Sequence, residues 1–479
     1  MTRGDAVATG TQDAAGRQLK VAGFADADSF VKWAAALIGS VPDVSRHLAI
    51  VQTPLTVSED QQRKALAGTG VAAEDVSRIE FGEVRRWVEE VRPDVVVLSA
   101  RGPLVRLLQR EIDHVRPRPV VVVGLPGISI PAQRGAATYR TNADLFVVHS
   151  RREKRAFAEL YDRLGLSMEL GLATLPFAHR EHARPVDLPH AAPAHPEQPA
   201  SLPKHVEPPG GWAKPHGTDL VFAAQALIPR EREEREQLAR ILVDAARADP
   251  TRRVVVKLRA SRTAGEEETH FERDSYEDLI QDPPPNLVFS HAPMREALAC
   301  AEGLVTVSST AAIEAMALGV PVIALDTFGI KKTNLNTVFA GSGVLGTAED
   351  VIARRFKHPS ATWREQNYFH REIDSTWWAQ AQRLVARRRR GELAARHVPA
   401  PRGGALHEAW QRKSVLGDYD RTLSGSVALA VGTPLTKVIL ATRKVRAGRG
   451  QHTWADDHSD ITLTPALYQD PLRRPARTA

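Results

Sequence analysis

The sequence predicts an α/β protein with two doubly wound parallel sheets that face each other across a cleft. Short Val-rich runs, such as 94–99 (DVVVLS) and 253–259 (RVVVKLR), alternate with segments of helical apolar spacing. Alternation of this kind is typical of parallel sheets covered by helices on both faces. Residues 179–217, rich in Pro and His, interrupt the pattern and divide the chain into two such sheets.

Length and composition fit a two-domain globular protein. A chain of 479 residues is too long for one core, and 43% of its residues are apolar and 25% charged. The formal net charge of +7 is compatible with nucleic acid, an anionic lipid surface or a phosphate-bearing substrate. Nucleic acid is disfavoured, because the sequence has no zinc-finger spacing and no aromatic RNA-binding strand.

The sequence also predicts a cytoplasmic location. Cys300 is the single cysteine, which excludes an internal disulfide and is typical of a reducing compartment. Residues 1–18 are polar, without the apolar core of a signal peptide, and are expected to form a flexible N-terminus. No apolar run approaches the ~20 residues that span a bilayer. The alternative is a protein held peripherally on the inner face of the plasma membrane.

Residues 19–178 are predicted to form the first domain. Strands are expected at 19–24, 48–53, 94–99, 119–124 and 143–149, and helices at 83–91, from 104 and at 151–164. In α/β sheets, ligands bind at the loops that follow the carboxyl ends of strands. Asp26 and Asp28 lie in the loop after the first strand and are the candidates for chemistry. Helix capping is the alternative for either residue.

Four more polar residues of this domain are expected at the same edge: Ser29, Lys32, Arg101 and Arg134. Ser29 and Lys32 lie near the start of the first helix, and Arg101 follows the strand at 94–99. Arg134 belongs to the segment GLPGISIPAQRG, whose prolines and glycines indicate a shaped loop. A plain surface arginine is the alternative for Arg134.

Residues 218–356 are predicted to form the second domain, after a linker at 179–217 that lacks large apolar residues and is expected to be poorly ordered. Strands are expected at 219–226, 253–259, 286–290, 304–307 and 320–325, and helices at 230–248, 294–301, 311–318 and 347–356. Lys257 and Arg259 share one face of their strand, because side chains alternate. Two cations there would suit a nucleotide phosphate.

The unit 304–325 (LVTVSSTAAIEAMALGVPVIAL) is central to this domain. It predicts a buried strand, a turn with Ser308, Ser309 and Thr310, a helix and a second strand. The first N–H groups of a helix have no intrahelical partner and attract anions, so the turn is a candidate phosphate site; plain capping is the alternative. Glu314 could accept hydrogen bonds from sugar hydroxyls, or could simply be a solvated residue.

This unit resembles the donor-binding element of GT-B glycosyltransferases, in which an xxxEAxxxGxPVI helix and strand hold the nucleotide-sugar phosphates; here it reads SSTAAIEAMALGVPVIAL. In this chain Ser and Thr replace the usual glycines of the turn. In this respect the turn resembles that of capsular-polysaccharide transferases for Kdo and polysialic acid. The chain is most similar to an actinobacterial group of glycosyltransferases of uncharacterised activity. Sugar 2-epimerases share the fold and a similar helix.

The resemblance implies a GT-B architecture of two Rossmann-like domains, with an acceptor site in the first domain and a nucleotide-sugar site in the second. It implies transfer of a sugar to a glycan or lipid-linked acceptor in cell-surface polysaccharide synthesis. No metal is expected if Lys257, Arg259 and the helix start neutralise the leaving phosphate, and no cofactor beyond the nucleotide-sugar co-substrate. The remaining donor-binding candidates are His291, Lys331, Lys332, Asn334 and Asn336. For the last four, which lie in the loop 326–346, a solvated loop is the alternative.

Transfer requires a base that takes the proton from the acceptor hydroxyl, and Asp26 and Asp28 are the candidates. Two other functions stay open: a nucleotide-sugar epimerase on the same fold, and a non-catalytic protein that binds nucleotide or carbohydrate. Product analysis separates them, because only a transferase moves the sugar to an acceptor.

The C-terminal part carries less pattern. Residues 357–397 are expected to be helical across 363–390, with Trp377, Ala381 and Leu384 on one face and a basic end at 387–390. By resemblance this helix crosses back onto the first domain; docking on a membrane surface is the alternative. Residues 398–479 form an extension of unclear structure, in which 427–441 could pack on the body or on another subunit.

Overall fold

A computed structural model describes residues 18–176 except Thr56, residue 178, residues 217–258 except Leu227, and residues 274–393 and 404–432. Arg259, most of the linker 179–217 and the segments at both termini lie outside the described residues. No helix in the part described is long and apolar enough to cross a membrane.

The first sheet has seven strands, all parallel, in the order β3-β2-β1-β4-β5-β6-β7. The strands are β1 (Lys20–Ala25), β2 (Ser45–Val51), β3 (Val76–Ile79), β4 (Val95–Ser99), β5 (Val120–Gly124), β6 (Leu145–Val148) and β7 (Glu169–Leu172). The helices are α1 (Asp28–Gly39), α2 (Glu59–Leu66), α3 (Val84–Val91), α4 (Gly102–Asp113), α5 (Arg134–Thr138) and α6 (Arg151–Arg163). The strand order reverses between β1 and β4, the position where such sheets bind ligands.

The second sheet has six parallel strands in the order β10-β9-β8-β11-β12-β13. The strands are β8 (Asp219–Ala223), β9 (Val254–Lys257), β10 (Leu287–Ser290), β11 (Ala301–Thr306), β12 (Val322–Leu325) and β13 (Leu345–Gly346). The helices are α7 (Arg232–Ala248), α8 (Tyr276–Leu279), α9 (Met294–Ala299), α10 (Ala311–Ala317) and α11 (Ala348–Ile352). The order again reverses, here between β8 and β11. Two Rossmann-like parallel sheets of this kind confirm the predicted GT-B fold class.

Four helices follow in the described C-terminal part: α12 (Ala361–Gln366), α13 (Trp377–Arg389), α14 (Gly404–Leu416) and a helix at 423–432. The prediction of one helix over 363–390 is wrong, because the chain leaves the helix at Asn367 and makes a short 3₁₀ turn before α13 begins. In this break Tyr368 is fully buried and its hydroxyl reaches Glu153 in the first domain. The Tyr368 side chain therefore ties the segment between α12 and α13 to the first domain.

Helix α13 packs on β5, β6 and β7 of the first sheet. The side chains of Trp377, Ala381 and Leu384 are buried there, as the spacing predicts. At its basic end, Arg388 donates to the buried carboxylate of Asp94 at 2.6 Å. The alternative that this face docks on a membrane is therefore wrong, because the first domain already covers it.

Candidate functional site

The two domains approach each other at the carboxyl ends of both sheets. Gly127, in the loop after β5, has a φ of +92°, and a Cβ placed on it would lie 2.8 Å from Oγ1 of Thr310. Thr310 ends the turn after β11. Because only a residue without a side chain fits this approach, the glycine lets the first domain's loop touch the second domain's turn.

The three hydroxyl residues of that turn have different environments. Ser308 is clamped by Gln225, whose Oε1 accepts from the Ser308 backbone N at 3.0 Å and whose Nε2 lies 3.1 Å from Ser308 Oγ. Ser309 Oγ accepts from the Ala311 N–H at 3.2 Å and so caps the start of α10. Thr310 has no side-chain capping bond, and its hydroxyl faces Gly127. The capping alternative therefore holds for Ser309, and Thr310 presents its hydroxyl between the domains.

Gln225 is a residue that the sequence reasoning missed. It follows β8, and its carbonyl accepts from Nη1 of Arg235 at 3.0 Å. Arg235 is buried under the ring of Tyr276, with its guanidinium carbon 4.7 Å from the ring centroid. An arginine in register with Leu238 and Leu242 on the apolar face of α7 is the signal that could have revealed this support.

On the first-domain side, Asp26 is fully buried at the end of β1. Arg101 donates to it through Nε at 2.8 Å and through its backbone N at 3.4 Å. Burial raises the pKa of Asp26, and the Arg101 charge and hydrogen bonds oppose that shift. Arg101 keeps 38% of its side chain exposed, so it lies between the carboxylate and the solvent. Asp28 is half-buried in the first turn of α1, and Ala27, not an aspartate, occupies the N-cap position.

A buried arginine completes this cluster. Arg140 donates through Nη2 to the Ala100 carbonyl at 3.0 Å, and burial lowers the pKa of its guanidinium to about 10. The Asp26 carboxylate partly offsets that shift. The Asp26 carboxylate therefore pairs with Arg101 and also acts electrostatically on the buried Arg140.

A second buried network, also missed, holds the loop that carries Gly127. The Glu153 carboxylate accepts from Tyr368 Oη at 2.7 Å, from the His149 backbone N at 2.7 Å and from the Ser129 backbone N at 2.8 Å. Burial raises the pKa of Glu153 and, with the neighbouring carboxylate, holds the pKa of Tyr368 well above its usual range. The motif Ser150-x-x-Glu153 at the start of α6 signals a capping box, but the Glu153 side chain serves the interdomain contact instead.

His149 is locked in a neutral form beside this network. Its Nε2 accepts from Trp33 Nε1 at 2.6 Å, and its Nδ1 lies 3.1 Å from the Ala173 carbonyl. Burial lowers the pKa of His149 to about 4. Both ring nitrogens are therefore occupied, which leaves His149 without a free nitrogen for a substrate.

The other donor-binding candidates are spread along the carboxyl edge of the second sheet. Lys257 is buried at the end of β9 and donates to the Leu258 carbonyl, and Arg259 lies outside the described residues. His291 is exposed, 3.5 Å from the Glu277 carboxylate. Glu314 is half-buried in α10. The role of these side chains in donor binding therefore stays a prediction.

In the loop 326–346, Asn334 and Asn336 are buried, and both amides donate to the carbonyl of Gly329, at 3.1 and 3.0 Å. Their observed role is to fold the loop. Lys331 is exposed and pairs with Glu234 at 3.4 Å, while Lys332 is half-buried.

The acceptor-binding candidates other than Arg101 are exposed: Ser29 and Lys32 on α1, and Arg134 at the start of α5. Among the described residues, no group of three or more His, Cys, Asp or Glu side chains is placed to hold a metal ion.

A family model described as "Putative glycosyltransferase (DUF6716)" matches residues 21–384. No curated protein matches the chain significantly in sequence. Among solved structures, the chain is similar to UDP-GlcNAc 2-epimerase from Neisseria meningitidis bound to UDP-GlcNAc, at 10% identity and a TM-score of 0.43, covering 78% of this chain and 100% of that chain. It is also similar to the glycosyltransferase SnogD from Streptomyces nogalater, at 17% identity and a TM-score of 0.35, covering 78% and 95%.

Proposed function

Because the chain belongs to the DUF6716 family, described as one of glycosyltransferases, we propose that it transfers a sugar from a nucleotide-sugar donor to a glycan or lipid-linked acceptor in cell-surface polysaccharide synthesis. The observation that carries the proposal is the approach of Thr310 to Gly127. It brings the carboxyl edges of two parallel sheets together, and such edges are where α/β proteins bind ligands. The similarity of the sequence to capsular-polysaccharide transferases supports the class of acceptor.

The donor is proposed to bind on the second domain. The turn at Ser308–Thr310 would face the phosphates and Glu314 the sugar hydroxyls, with Lys257 and Lys332 supplying positive charge. Arg259, which lies outside the described residues, is a further candidate from the sequence. Gln225 supports this assignment, because it fixes Ser308 from a different strand. We propose that these cations replace a metal in neutralising the leaving phosphate.

The base is proposed to be Asp28, with Asp26 as a residue that positions Arg101. A general base must reach the proton that it removes, and Asp26 is fully buried with both carboxylate oxygens engaged by Arg101. Asp28 is accessible one turn from the same edge. Arg101, exposed on one side, would then hold an anionic acceptor group.

The first experiment is a thermal-shift screen of the full chain with nucleoside mono- and diphosphates, followed by calorimetry on the best ligand. We expect binding that weakens about fivefold in Thr310→Val, because the nucleotide loses roughly one hydrogen bond of ~1 kcal/mol. Ser424→Ala, on an exposed position of the C-terminal extension, is the matched control. Unchanged affinity in a variant with alanine at all three turn positions would place the nucleotide elsewhere.

The second experiment separates transfer from epimerisation. Once a nucleotide sugar that binds has been found, the products with and without added acceptor are identified by mass spectrometry and NMR. We expect free nucleotide to accumulate only with acceptor, and Asp28→Asn to slow that release by roughly 10²–10⁴-fold with little change in nucleotide affinity. An isomerised nucleotide sugar without acceptor would identify an epimerase, and binding without turnover a non-catalytic protein.

A further inference from the structure

The loop 125–133, between β5 and α5, is held at its middle by a single backbone donor. Among the N–H groups at 127–130, all of which the structure describes, only that of Ser129 donates a hydrogen bond. It donates to Oε1 of Glu153 at 2.8 Å. Gly127, which touches the second domain, lies two residues before this anchor. One carboxylate oxygen therefore fixes the part of the loop that faces the second domain.

The same oxygen also receives a donor from the other side of the interface. Tyr368 Oη donates to Oε1 of Glu153 at 2.7 Å. Tyr368 follows α12, and α12 is packed on the second domain. There Trp363 stacks on Phe339 with ring centroids 6.3 Å apart, and its Nε1 donates to the Val338 carbonyl at 2.8 Å. The Glu153 oxygen is therefore shared between the first-domain loop and a segment held by the second domain.

Burial makes the hydrogen bonds of Glu153 depend on one another. Glu153 is fully buried, so its carboxylate must be matched by hydrogen bonds. Its donors come from three segments: the N–H groups of Ser129 and His149 and the Tyr368 hydroxyl. Hydrogen bonds to an ionised carboxylate are about twice as strong as neutral ones. A displacement of Tyr368 therefore shifts the carboxylate and the loop together, because the alternative leaves the buried carboxylate short of a donor.

The loop meets the second domain at another point as well. A Cβ on Gly127 would lie 2.8 Å from Oγ1 of Thr310, so the loop backbone lies directly against the turn Ser308–Thr310. The connection from Tyr368 through Glu153 is the other one. The loop is thus fixed between two parts of the second domain, and its position depends on both.

We propose that Glu153 and Tyr368 are positioning residues for the turn Ser308–Thr310. The Glu153 carboxylate transmits the position of Tyr368 to the loop 125–133, and the loop then holds Gly127 against the turn. This positioning is a property of the protein without ligand. Its effect on nucleotide binding rests on the proposed function.

The first test is hydrogen exchange of the full-length protein without ligand, measured by mass spectrometry. The slow amide within 127–130 is expected to be that of Ser129, since it alone is hydrogen-bonded. Glu153→Gln removes the charge and one acceptor oxygen, so we expect this amide to exchange about fivefold faster or more. Glu159→Gln, the same change at a half-buried position of α6, is the matched control and should keep the wild-type rate.

The second test asks whether the effect crosses between the domains. Tyr368→Phe keeps the ring and removes the hydroxyl, and we expect about fivefold faster exchange both at Ser129 and in the segment 308–312. Adding Glu153→Gln should increase the exchange little further, because both changes break the same connection. Tyr419→Phe, at a half-buried tyrosine after α14, is the matched control and should leave both segments unchanged.

The third test is calorimetry with UDP, CDP, GDP and ADP. Tyr368→Phe should weaken the binding of the nucleotide that binds the wild type by about fivefold, whereas Tyr419→Phe should not weaken it. Combined with Gly127→Ala, the loss of affinity should be smaller than the product of the two separate losses, because both act through one loop; a merely structural role would give the full product. Absence of wild-type nucleotide binding would contradict the proposed function, and the exchange measurements alone would then decide the positioning.

Three exchange results would overturn the proposal. One is a wild-type rate for the Ser129 amide in Glu153→Gln. Another is faster exchange in Tyr368→Phe that stays within the first domain and does not reach 308–312. The third is a rise spread evenly over both domains, which is the pattern that Val88→Ala, in the buried core of the first domain, should produce through general destabilisation.

Discussion

At the scale of single residues, the carboxylate of Asp26 is the group most dependent on its partner. It is fully buried, and Arg101 supplies its two observed hydrogen bonds. An ionised carboxylate left without a partner in such a place is strongly destabilising, whereas a neutral amide there is tolerated far better. Substitutions at Asp26 and Arg101 therefore test whether Arg101 stabilises the fold in addition to facing the cleft.

We expect Arg101→Met to lower the free energy of unfolding by roughly 3 kcal/mol at pH 7, because the buried Asp26 carboxylate loses its guanidinium partner and keeps only the backbone N–H of residue 101 at 3.4 Å. Urea denaturation monitored by circular dichroism gives the value. Arg101→Lys should recover only part, since an ammonium cannot copy the planar guanidinium. Adding Asp26→Asn to Arg101→Met should restore stability. A double variant as unstable as the sum of the single ones would show that the two side chains are not coupled.

His149 makes stability depend on pH. Its pKa in the folded protein is about 4 against an ordinary 6.5, so between those values the unfolded chain binds a proton that the folded chain does not. Stability contributed by the neutral ring is therefore present above pH 6.5 and is lost as the pH falls towards 4. We expect a loss of ~3 kcal/mol from this residue over that window.

The measurement is urea denaturation at pH 7 and at pH 4.5, for the wild type and for His149→Gln. The variant should be less stable at pH 7, because it loses the fit to Trp33, but its stability should fall less on acidification. His291→Gln, an exposed histidine, is the control and should keep the wild-type pH dependence. An unchanged dependence in His149→Gln would assign the acid sensitivity to other groups.

At the scale of elements, the contact between the loop after β5 and the turn after β11 depends on Gly127. We expect Gly127→Ala to destabilise the protein by about 1–3 kcal/mol and to weaken nucleotide binding, because its φ is positive and its Cβ would meet Thr310. Gly135→Ala is the matched control, since its Cβ would contact nothing within 4 Å. Calorimetry and urea denaturation give both quantities.

A double variant separates the two causes. Thr310→Ala removes the side-chain atoms that the new Cβ at position 127 would meet. The double variant Gly127→Ala, Thr310→Ala should therefore regain the stability lost to that contact. It should still lack the stability lost to backbone strain at position 127. Equal stability of Gly127→Ala and Gly135→Ala would mean that the domains do not approach here.

The sequence predicted central elements better than edge elements. Runs such as VVVL in β4 and VVVVG in β5 are buried on both faces, so their composition alone identifies them. The edge strand β3 reads VSRI, with three of its four residues not fully buried, and α2 reads EDQQRKAL, so neither has a distinct pattern and both were missed. Edge strand β7 (ELGL) was also missed. Three of its four residues are buried, but a four-residue run that contains glycine has no distinct strand pattern.

The part of the candidate site whose residues are neighbours in the sequence could be predicted from the sequence. Ser308, Ser309 and Thr310 are neighbours, so the strand-turn-helix pattern located them. Gln225 reaches Ser308 across 83 positions, and Tyr368 reaches Glu153 across 215. Such partners are determined by the tertiary packing of the two sheets, which a single sequence does not encode in any local spacing.

At the scale of the whole molecule, the two sheets are joined by more than the chain that connects them. Arg152 of α6 is fully buried and donates to the carbonyls of Val338 and Thr337 in the second domain, at 3.0 and 3.2 Å. Tyr368 bonds Glu153, and α13 covers the first sheet. The interface should therefore survive without the linker.

We expect limited trypsin digestion to cut first in the linker 179–217, after Arg180 or Lys204, because this segment offers few residues able to form a core. The two fragments should then elute together on gel filtration. In Arg152→Met the two fragments should separate at a lower urea concentration than in the wild type, because the carbonyls at 337 and 338 lose their hydrogen-bond donor. Arg163→Met, at the other end of α6, is the control. Early cleavage inside the folded second domain, for example after Arg247 or Arg295, or fragments that elute apart without urea, would contradict this organisation.

The return of α13 to the first sheet also constrains how the protein is made. Trp377 and Leu384 of α13 pack against the apolar face formed by Val120, Val122 and Val147. They are synthesised about 200 residues after β7 ends at Leu172. At ~5–20 residues per second, a ribosome needs roughly 10–40 s to supply them. Throughout that interval part of the apolar surface of the nascent first domain lacks the helix that covers it. We expect a chain truncated before α13 to aggregate more readily than the full chain, as measured by light scattering.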